Sequence, residues 1–497
     1  MKKFTLFIFV IFVSVKMVAA QSTIGGPIFN DTILTKANSP YHVVSDILIT
    51  IGVTVTLEPG VHLQFDDLKK MVVDGILHAN GTPADSIFFE AYNPAAVGAT
   101  WWGISFSNTT IPYDSVNETG SIINYCSFKH GGYQDGNYSH NAVSIDAANY
   151  MLVMNSTFSD YMMGVSINGA GNKVLNCVFK NHVSSTNNYS GVTIYNAFGP
   201  RPNNPDVVRN CLFDNHQDNA IDIFTPAIIE NNCFLHCSID ASVYCCNTVI
   251  PVIEIYTDAA VRIENNYIAS ACNSGISLMM SCDSTVVISH NTFDNNLVDI
   301  VMSKCMRSPK IIENNFFKCY IAHVYCSLNL IPNFGCQPIG GSYYTIDLSS
   351  NYFGGKTPAQ VDSALYDLYD DIGTKVIFSH ATTATDTILV SSLHACNYVP
   401  TANCFDSTVT AIHNERLQDE LTVFPNPSPG DFTLRYHSKS DDKISITVSD
   451  LSGRTMQHYP FIKTNSDFRF GIELKAGIYL LEVLIERERK VMKIMKE

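Results

Sequence analysis

The chain has 497 residues, with 31 Lys and Arg against 46 Asp and Glu, which gives a formal net charge of −15. Only 15% of its residues are charged, against about 25% in an average domain, and 46% are hydrophobic. This composition excludes a disordered polyelectrolyte and a coiled coil. The excess of acidic groups excludes ordinary nucleic-acid binding, which needs a basic surface. The length predicts roughly two to four domains.

The N-terminus carries the three parts of a secretory signal peptide. Two lysines, Lys2 and Lys3, precede an apolar run from Phe4 to Val15, and Val18–Ala20 form a small-residue cleavage site. We predict a signal peptide over residues 1–20. The apolar run is shorter than the roughly 20 residues that cross a bilayer, and no later segment is apolar enough. We therefore expect no transmembrane segment in the mature chain.

The cysteines fit an exported protein. All 15 lie between Cys126 and Cys404, and an oxidising compartment permits disulfide bonds among them. The odd number leaves at least one thiol unpaired unless an intermolecular bond forms, and the sequence does not fix the pairing. Because no paired C-x-x-C motif is present, the cysteines argue against a zinc site.

One motif recurs along the middle of the chain. It begins at a polar residue, usually Asn, and ends three residues later at an apolar one. The eight copies are Asn155–Phe158, Asn176–Phe179, Asn210–Phe213, Asn231–Phe234, Asn265–Ile268, His290–Phe293, Asn314–Phe317 and Ser350–Phe353. Their last residues are 21 to 36 positions apart. A repeat of this length with variable spacing predicts a solenoid whose coils have turns of unequal length.

A second set of short segments lies between these motifs. Each has two aliphatic residues flanking one other residue, as a β-strand with one apolar face requires. The segments are Val143–Ile145, Val165–Ile167, Val192–Ile194, Ile221–Ile223, Ile253–Ile255, Ile276–Leu278 and Val298–Ile300. Stacked in parallel, these residues fill a dry interior, and Asn suits the turns because it tolerates the left-handed conformation.

Two regions carry a resemblance to a known family. Its opening motifs here are Ser39–Tyr41, Glu58–Gly60, Asp74–Gly75, Gly81–Pro83 and Trp101–Ile104. They resemble the start of right-handed parallel β-helix proteins of the bacterial surface, and Asn351–Gly355 with the segment after it resembles their closing coil. The resemblance implies an all-β fold, a right-handed parallel β-helix over residues 21–380, with a capping helix near 358–371. Such β-helices include lyases, hydrolases, epimerases and adhesins, so function stays open.

The C-terminal part has a different character. Residues 381–414 are rich in Thr, Ala and Ser and read as a linker, and residues 415–497 have 13 basic and 13 acidic residues. This last segment contains short strands separated by turns, at Phe424–Pro427, Gly430–Leu434, Ile444–Asp450 and Lys475–Leu481. Their order resembles the C-terminal sorting domain of type IX secretion cargo, a small β-sandwich. The resemblance implies export by the type IX machinery and a place outside the cell or on its outer surface, released or attached.

The alternation in the second set of segments predicts a candidate site. If Ile221 and Ile223 point inward, Asp222 points outward, and the same pattern turns Glu254 outward one coil later. Adjacent coils are about 4.8 Å apart, so the two carboxyl groups should be neighbours. The pKa of one of the two carboxyl groups should then rise unless a cation lies between them. Such a pair suits either a retaining glycosidase or, with oxygen ligands only, calcium.

Further candidates lie around this pair. Asp299 continues the outward column, and Tyr195, Phe224 and Tyr256, each two positions after an outward residue, form an aromatic strip that suits sugar rings. Three interpretations stay open: a solvated sheet face, a glycan-binding or calcium-binding face, and a catalytic site. Calcium is a possible cofactor, and no metal ligand is assigned.

The function prediction follows from these features. The chain lacks G-x-S-x-G, H-E-x-x-H, Walker and dinucleotide motifs. We predict a monomeric secreted or cell-surface β-helix protein that binds glycan or another surface along one sheet face. The alternative is a polysaccharide-degrading enzyme, a glycoside hydrolase or calcium-dependent lyase, in which Asp222 and Glu254 are catalytic. The acidic body would repel an anionic polysaccharide, which favours a neutral glycan.

Overall fold

A computed structural model describes residues 22–377 and 421–496. Within these ranges it leaves out residues 94, 97, 136–137, 184–189, 196–203, 238–249, 258, 280–284, 303–308, 326–344, 349, 367–374, 427, 437–442, 451–454, 464–466 and 486–487. The predicted signal peptide (residues 1–20) and linker (residues 381–414) lie outside the described residues and stay predictions. The chain divides into two compact units, residues 1–169 and residues 170–497.

The first unit consists of short strands and one 3-10 helix (Lys36–Asn38). The strands are β1 (Ser22–Ile28), β2 (Thr32–Leu34), β3 (Tyr41–Ile49), β4 (Thr54–Leu57), β5 (His62–Phe65), β6 (Lys70–Val73), β7 (Ile76–Asn80), β8 (Ile87–Ala91), β9 (Gly103–Phe106), β10 (Ile122–Asn124), β11 (Cys126–Lys129), β12 (Gln134–Asp135), β13 (Tyr138–Ser139), β14 (Val143–Asp146), β15 (Leu152–Met154), β16 (Thr157–Ser159) and β17 (Val165–Asn168).

These strands form three parallel stacks, with one strand from each stack in every coil. The first stack is β2, β4, β7, β10 and β15. The second is β3, β5, β8, β11 and β16. The third is β1, β3, β6, β9, β14 and β17, because β3 is long enough to pair in two stacks. Only β12 and β13 pair antiparallel among the described strands of this unit.

The second unit continues with the same kind of element up to residue 377. Its strands there are β18 (Lys173–Leu175), β19 (Val178–His182), β20 (Val192–Ile194), β21 (Asp206–Arg209), β22 (Leu212–His216), β23 (Ile221–Ile223), β24 (Ala227–Glu230), β25 (Cys233–Leu235), β26 (Pro251–Ile255), β27 (Val261–Glu264), β28 (Tyr267–Ala269), β29 (Ser274–Leu278), β30 (Val286–Ser289), β31 (Thr292–Asp294), β32 (Asn296–Met302), β33 (Lys310–Ile312), β34 (Asn315–Phe316), β35 (Cys319–Tyr325), β36 (Thr345–Asp347), β37 (Leu365–Tyr366) and β38 (Lys375–Ile377).

Three parallel stacks also form the part of this unit that precedes the C-terminal domain. The first runs β18, β21, β24, β27, β30 and β33. The second runs β19, β22, β25, β28, β31 and β34. The third runs β20, β23, β26, β29, β32, β35 and β37. The predicted all-β fold with a parallel β-helix is confirmed.

The interior is filled by columns of side chains in successive coils. Phe89, Phe128 and Phe158 are stacked, with ring centroids 4.9 and 4.8 Å apart, and Phe179 and Phe213 are stacked at 4.7 Å. These distances equal the spacing of hydrogen-bonded strands, so the ring stacking follows directly from the parallel pairing. The motif's last residue is a core residue in seven of the eight copies, as the repeat predicts. The copy Asn314–Phe317 is the exception, because Phe316 stacks on Phe293 in the core and Phe317 is exposed.

Each coil turns at residues with positive φ. One set has φ between 48° and 56°: Tyr125, Asn155, Asn176, Asn210, Asn231, Asn265, His290 and Glu313. A second set follows each of the first seven by five residues: His130, Asp160, Asn181, Asn215, His236, Ser270 and Asn295. Asn is the non-glycine residue that adopts this conformation most readily, which confirms its predicted place in the turns.

A buried ladder of asparagines was not predicted. Asn232, Asn266, Asn291, Asn314 and Asn351 follow one another in successive coils, and each side-chain Nδ2 donates to Oδ1 of the next at 3.0 Å. Each backbone N–H up to Asn314 donates to the same oxygen at 2.9 Å. The ladder satisfies polar groups that would otherwise be buried without partners.

The predicted capping helix is wrong in its extent. The helix α1 covers only Pro358–Asp362, and Leu365, expected on its apolar face, lies in strand β37. Val324 of β35 pairs with Leu365, so a strand rather than a helix satisfies the edge of the third stack. Val361 is buried, as the apolar face of a cap requires. Residues 367–371 of the predicted helix lie outside the described residues.

The C-terminal domain has two antiparallel sheets. Its strands are β39 (Leu421–Phe424), β40 (Phe432–Tyr436), β41 (Lys443–Asp450), β42 (Thr455–Lys463), β43 (Asp467–Phe470), β44 (Gly477–Ile485) and β45 (Glu488–Lys496). One sheet has the order β39–β40–β43 and the other β42–β41–β44–β45. Apolar residues of both, including Phe432, Ile446 and Leu481, form one core, which confirms a small β-sandwich.

Six of the described cysteines are not in disulfide bonds: Cys126, Cys177, Cys211, Cys237, Cys272 and Cys319. Four of them are buried in the coils, where a thiol packs as a small apolar group. Cys245 and Cys246 lie outside the described residues. Disulfide pairing therefore stays a prediction.

Candidate functional site

The two predicted carboxylates are neighbours on the third stack. Asp222 is the central residue of β23, Glu254 belongs to β26, and the two residues pair directly in the parallel register. Thr193 precedes this pair in the same column, and Ser277 follows it. The sequence-based register is thus correct through these four coils. It is set by the aliphatic residues on either side, which all turn toward the core.

The outward face is buried at this place. Asp222 is 8% exposed and Glu254 is 6% exposed, while Ser277 is completely buried. Its hydroxyl group makes no hydrogen bond to any described residue. A solvated sheet face, which was one interpretation of the outward column, does not describe these strands. The carboxyl groups lie in a shielded polar site instead.

Two side chains from loops hold the carboxyl groups. The Nδ2 group of Asn219 donates to Oδ1 of Asp222 at 2.5 Å and to Oε2 of Glu254 at 2.8 Å. Sharing one donor keeps these two oxygens no more than about 5.3 Å apart, so the two carboxyl groups are close neighbours. The hydroxyl group of Ser190 donates to the other oxygen of Asp222.

The electrostatics of the site favour protonated carboxyl groups. Burial raises the pKa of Asp222 to about 6, against the lowering effect of hydrogen bonds from Ser190 and Asn219. Burial, and then the charge of Asp222, raise the pKa of Glu254 to about 7. The carboxyl group of Asp218 adds to both effects. Near neutral pH, Glu254 can therefore hold or release a proton.

An aromatic pair lies beside the carboxyl groups. Phe224 and Tyr256 each follow the end of their strand and stack in parallel, with ring centroids 4.6 Å apart and planes inclined by 2°. Phe224 is 41% exposed. The Tyr256 hydroxyl group hydrogen-bonds to Glu254, and burial together with this carboxyl group raises the Tyr256 pKa. Tyr195, half-buried, follows the end of β20 in the preceding coil.

We call this group the acidic–aromatic cluster: Ser190, Asp218, Asn219, Asp222, Phe224, Glu254 and Tyr256. The sequence analysis missed Ser190, Asp218 and Asn219, because they precede their strands in loops of unequal length, where the repeat gives no register. A local signal was present for Asn219, which lies three residues before Asp222 and reaches it from the start of the same strand.

The predicted alignment of Asp299 with Ser277 is wrong, whereas its predicted role in ligand binding stays a prediction. Val301, and not Asp299, pairs with Ser277, so the strand is displaced by two residues from the expected alignment. Asp299 is completely buried and accepts a hydrogen bond from Asn296 at 2.9 Å. Its other carboxyl oxygen is 2.6 Å from Nδ1 of His323. Neither of these contacts involves a residue of the acidic–aromatic cluster. It belongs to a separate group of side chains.

The arrangement at Asp222 and Glu254 suits proton transfer better than cation binding. The amide of Asn219 donates to both carboxyl groups, and a calcium ion between them would have to displace it or use its oxygen. Among the residues that the structure describes, three potential metal ligands come together at Asp299, Cys319 and His323, not here. Calcium stays a prediction without a ligand set.

Comparison with known proteins decides the nature of the C-terminal domain. Residues 422–497 match the family described as "Secretion system C-terminal sorting domain". The β-sandwich is a type IX sorting domain. This sorting domain makes the protein a cargo of the type IX machinery, found outside the cell or on its outer surface. In the part of the chain that the structure describes, no helix has the length and apolar character to cross a membrane.

The chain is also similar to "Protein bark beetle" of Drosophila melanogaster, with 38% identity over 72 residues. The match covers 14% of this chain and 2% of that protein, so the chain spans only a small part of the relative's length. So short a match assigns no activity to this protein.

Proposed function

We propose that this exported protein binds a neutral carbohydrate at the acidic–aromatic cluster. One observation carries the proposal: a stacked, partly exposed aromatic pair stands directly beside two buried carboxyl groups with hydrogen-bonding neighbours. Aromatic faces bind the apolar faces of sugar rings, and convergent polar groups fix the ring's orientation.

The polar half of the cluster supplies both kinds of hydrogen-bonding group. Asp222 and Glu254 offer acceptor oxygens when ionised, and a protonated Glu254 offers a donor as well. The hydroxyl group of Ser277, buried next to Glu254 in the register, has no partner among the described residues and is free to bond a ligand. The excess of acidic residues favours a ligand without negative charge, since anionic sugars would be repelled.

Binding is tested by titrating the full chain with neutral and acidic oligosaccharides in a calorimeter, with calcium or with a chelator. We expect Phe224→Ala to weaken binding at least about tenfold, or about 1.4 kcal/mol, because the stacking face is lost. The matched control is Phe317→Ala, since Phe317 is 37% exposed and outside the cluster. Equal affinity of both variants would contradict the proposal.

Hydrolysis of a glycoside is a second candidate, favoured by the close carboxyl pair. Glu254, with the higher pKa, would give its proton to the leaving oxygen while Asp222 attacks the anomeric carbon, so the glycosidic bond breaks as an ester forms. Water would then cleave the ester and return a proton to Glu254. The two displacements at the anomeric carbon together retain its configuration.

The catalytic candidate has its own measurement. New reducing ends are assayed for the full chain, for Asp222→Asn and for Glu254→Gln, with Phe317→Ala as the control. Activity should fall at least about 100-fold in either carboxyl variant, because each removes an acid or nucleophile. Carbohydrate binding without turnover in the unaltered protein would leave the binding proposal and exclude hydrolysis. Turnover that is unchanged in both variants would exclude these residues as catalytic.

A further inference from the structure

A second polar group lies in the last coils of the second unit. Asp299 belongs to β32, and Cys319 and His323 belong to β35, the next strand of the third stack. One carboxyl oxygen, the Cys319 sulfur and a ring nitrogen of His323 all lie within 4.8 Å of one another. These are three of the side-chain types that bind zinc in proteins. The sequence analysis did not identify them as a group.

The parallel register brings these residues together. Asn296 pairs with Cys319, and the flanking pairs place Asp299 opposite His323. Gly275 occupies the position of Asp299 in the preceding coil. A Cβ atom added to Gly275 would lie 3.4 Å from a ring carbon of Phe293, so this position faces the aromatic core. The ring centroids of His323 and Phe316 are 5.4 Å apart. The group therefore lies next to the aromatic core rather than in an exposed acidic patch.

His323 is an unusual residue for this environment. Its side chain and that of Asp299 are completely buried, and the two are 2.6 Å apart. The second ring nitrogen, Nε2, makes no hydrogen bond to a described residue. Such a buried polar atom is destabilising, so the retention of this ring points to a role beyond packing. Nδ1, which faces Asp299, is the nitrogen that can share an ion with that carboxyl group.

Charge balance points the same way. A divalent ion bound to one carboxylate, one thiolate and one neutral imidazole gives a neutral group, which an apolar interior tolerates best. The thiol proton of Cys319 would pass to water when the ion binds. Among the described side chains, His323 is the one at ion-pair distance from Asp299.

We propose that Asp299, Cys319 and His323 bind one divalent transition-metal ion of the zinc class. Zinc prefers four ligands in tetrahedral geometry, so the three side chains leave one position for water or a further donor. Asp299 is a direct ligand, and the ion takes the place of the proton between its carboxyl group and Nδ1 of His323. The ion links β32 to β35 and stabilises the last coils of the stack.

Metal content of the full chain tests the proposal. The protein is loaded with zinc, freed of excess by dialysis and analysed by mass spectrometry, and one zinc per chain is expected. Replacement by cobalt should give a thiolate-to-cobalt charge-transfer absorption, since Cys319 is a ligand. Cys319→Ser should remove this absorption, and His323→Gln should lower the zinc content at least about tenfold.

Controls separate this site from other thiols and imidazoles. Cys272→Ser removes another partly buried thiol, and His290→Gln removes a histidine that pairs with Glu313 near the surface. Both should bind zinc like the unaltered chain. Because a ligand variant could fail to fold, the thermal midpoint with and without zinc is also measured, and only the unaltered chain and the controls should gain stability. A chain without bound zinc, or equal zinc content in the ligand variants, would overturn the proposal.

Discussion

The side-chain amide of Asn266 donates to Oδ1 of Asn291 at 3.0 Å in the buried interior, and the backbone N–H of Asn266 donates to the same oxygen at 2.9 Å. The Nδ2 group of Asn291 in turn bonds the carbonyl oxygen of Ile263 at 2.8 Å and Oδ1 of Asn314 at 3.0 Å. One side chain thus satisfies donors and acceptors from the coils before and after it.

Substitution of the central asparagine should therefore be costly. We expect Asn291→Ala to lower the free energy of unfolding by roughly 2 to 4 kcal/mol, because it leaves a buried N–H and a buried carbonyl group without partners. Denaturant unfolding measures the change. Asn108→Ala, at an exposed turn, is the control and should stay within about 0.5 kcal/mol. A small effect at Asn291 would mean that water replaces the missing amide.

The raised pKa of Glu254 predicts that stability falls as the pH rises. The folded protein holds this proton up to about pH 7, whereas an unfolded glutamic acid loses it near pH 4.5. Between these values the folded state binds more protons, so the free energy of unfolding decreases with rising pH, by up to roughly 3 kcal/mol. Glu254→Gln should flatten this decline and be more stable than the unaltered chain at pH 8.

Denaturant unfolding between pH 4 and 8 checks this prediction. The exposed Glu118→Gln is the matched control and should keep the decline. If Glu254→Gln declines as steeply as the unaltered chain, the carboxyl group is already ionised in the folded protein at low pH.

His216 predicts an opposite trend on the acidic side. Its ring is buried and stacks on His182, with centroids 5.1 Å apart, and burial followed by the charge of His182 lowers its pKa. Below about pH 6.5 an unfolded histidine takes up a proton that the folded one refuses, so stability falls as the pH decreases, by up to roughly 1.4 kcal/mol per pH unit.

Replacing this ring by a non-titrating one isolates its contribution. His216→Phe keeps an aromatic face against His182 and should show a shallower loss of stability between pH 6 and 4. Unfolding curves at several pH values measure the slope, with His290→Gln as the control. An unchanged slope in His216→Phe would show that other groups cause the acid sensitivity.

The sorting domain predicts where the protein is found. A chain without residues 421–497 should be absent from the cell surface and the medium of the cell that makes it, since the domain is what the type IX machinery recognises. Immunoblots of cell fractions measure this. Full-length Phe317→Ala should be exported normally, and normal export of the shortened chain would show that another segment directs secretion.

The fold and the carboxyl pair could be predicted because alternation fixed the register. In Ile221–Ile223 and Ile253–Ile255 one polar residue stands between two isoleucines, so only one alignment buries both apolar residues. The segment from Leu297 to Met302 is apolar except at Asp299, and alternation alone permits two alignments. The structure pairs Ile276 with Ile300, and this two-residue shift is why the predicted alignment of Asp299 was wrong.

Other parts of the site could not be predicted from the repeat. Asn219 and Ser190 reach the carboxyl groups from loops whose lengths differ between coils, so no periodic pattern marks them. The same limit applies to Cys319 and His323. They lie at least 20 positions after Asp299 in the chain, and only strand pairing brings them close to it. The buried asparagine ladder was hidden for a different reason: the Asn residues of the repeat were all assigned to turns, although in each of these coils the Asn after the left-handed position points inward.

The five-residue interval between the two left-handed positions is constant in seven coils, whereas the chain between the second and third stacks varies widely in length. Strand β29 begins 4 positions after Ser270, whereas β20 begins 11 positions after Asn181. Differences in length between coils therefore lie outside the five-residue corner that joins the two left-handed positions. Foreign peptides inserted before the third stack would be displayed without disturbing the pairing that defines the coil, which makes this protein a natural scaffold for exported epitope arrays.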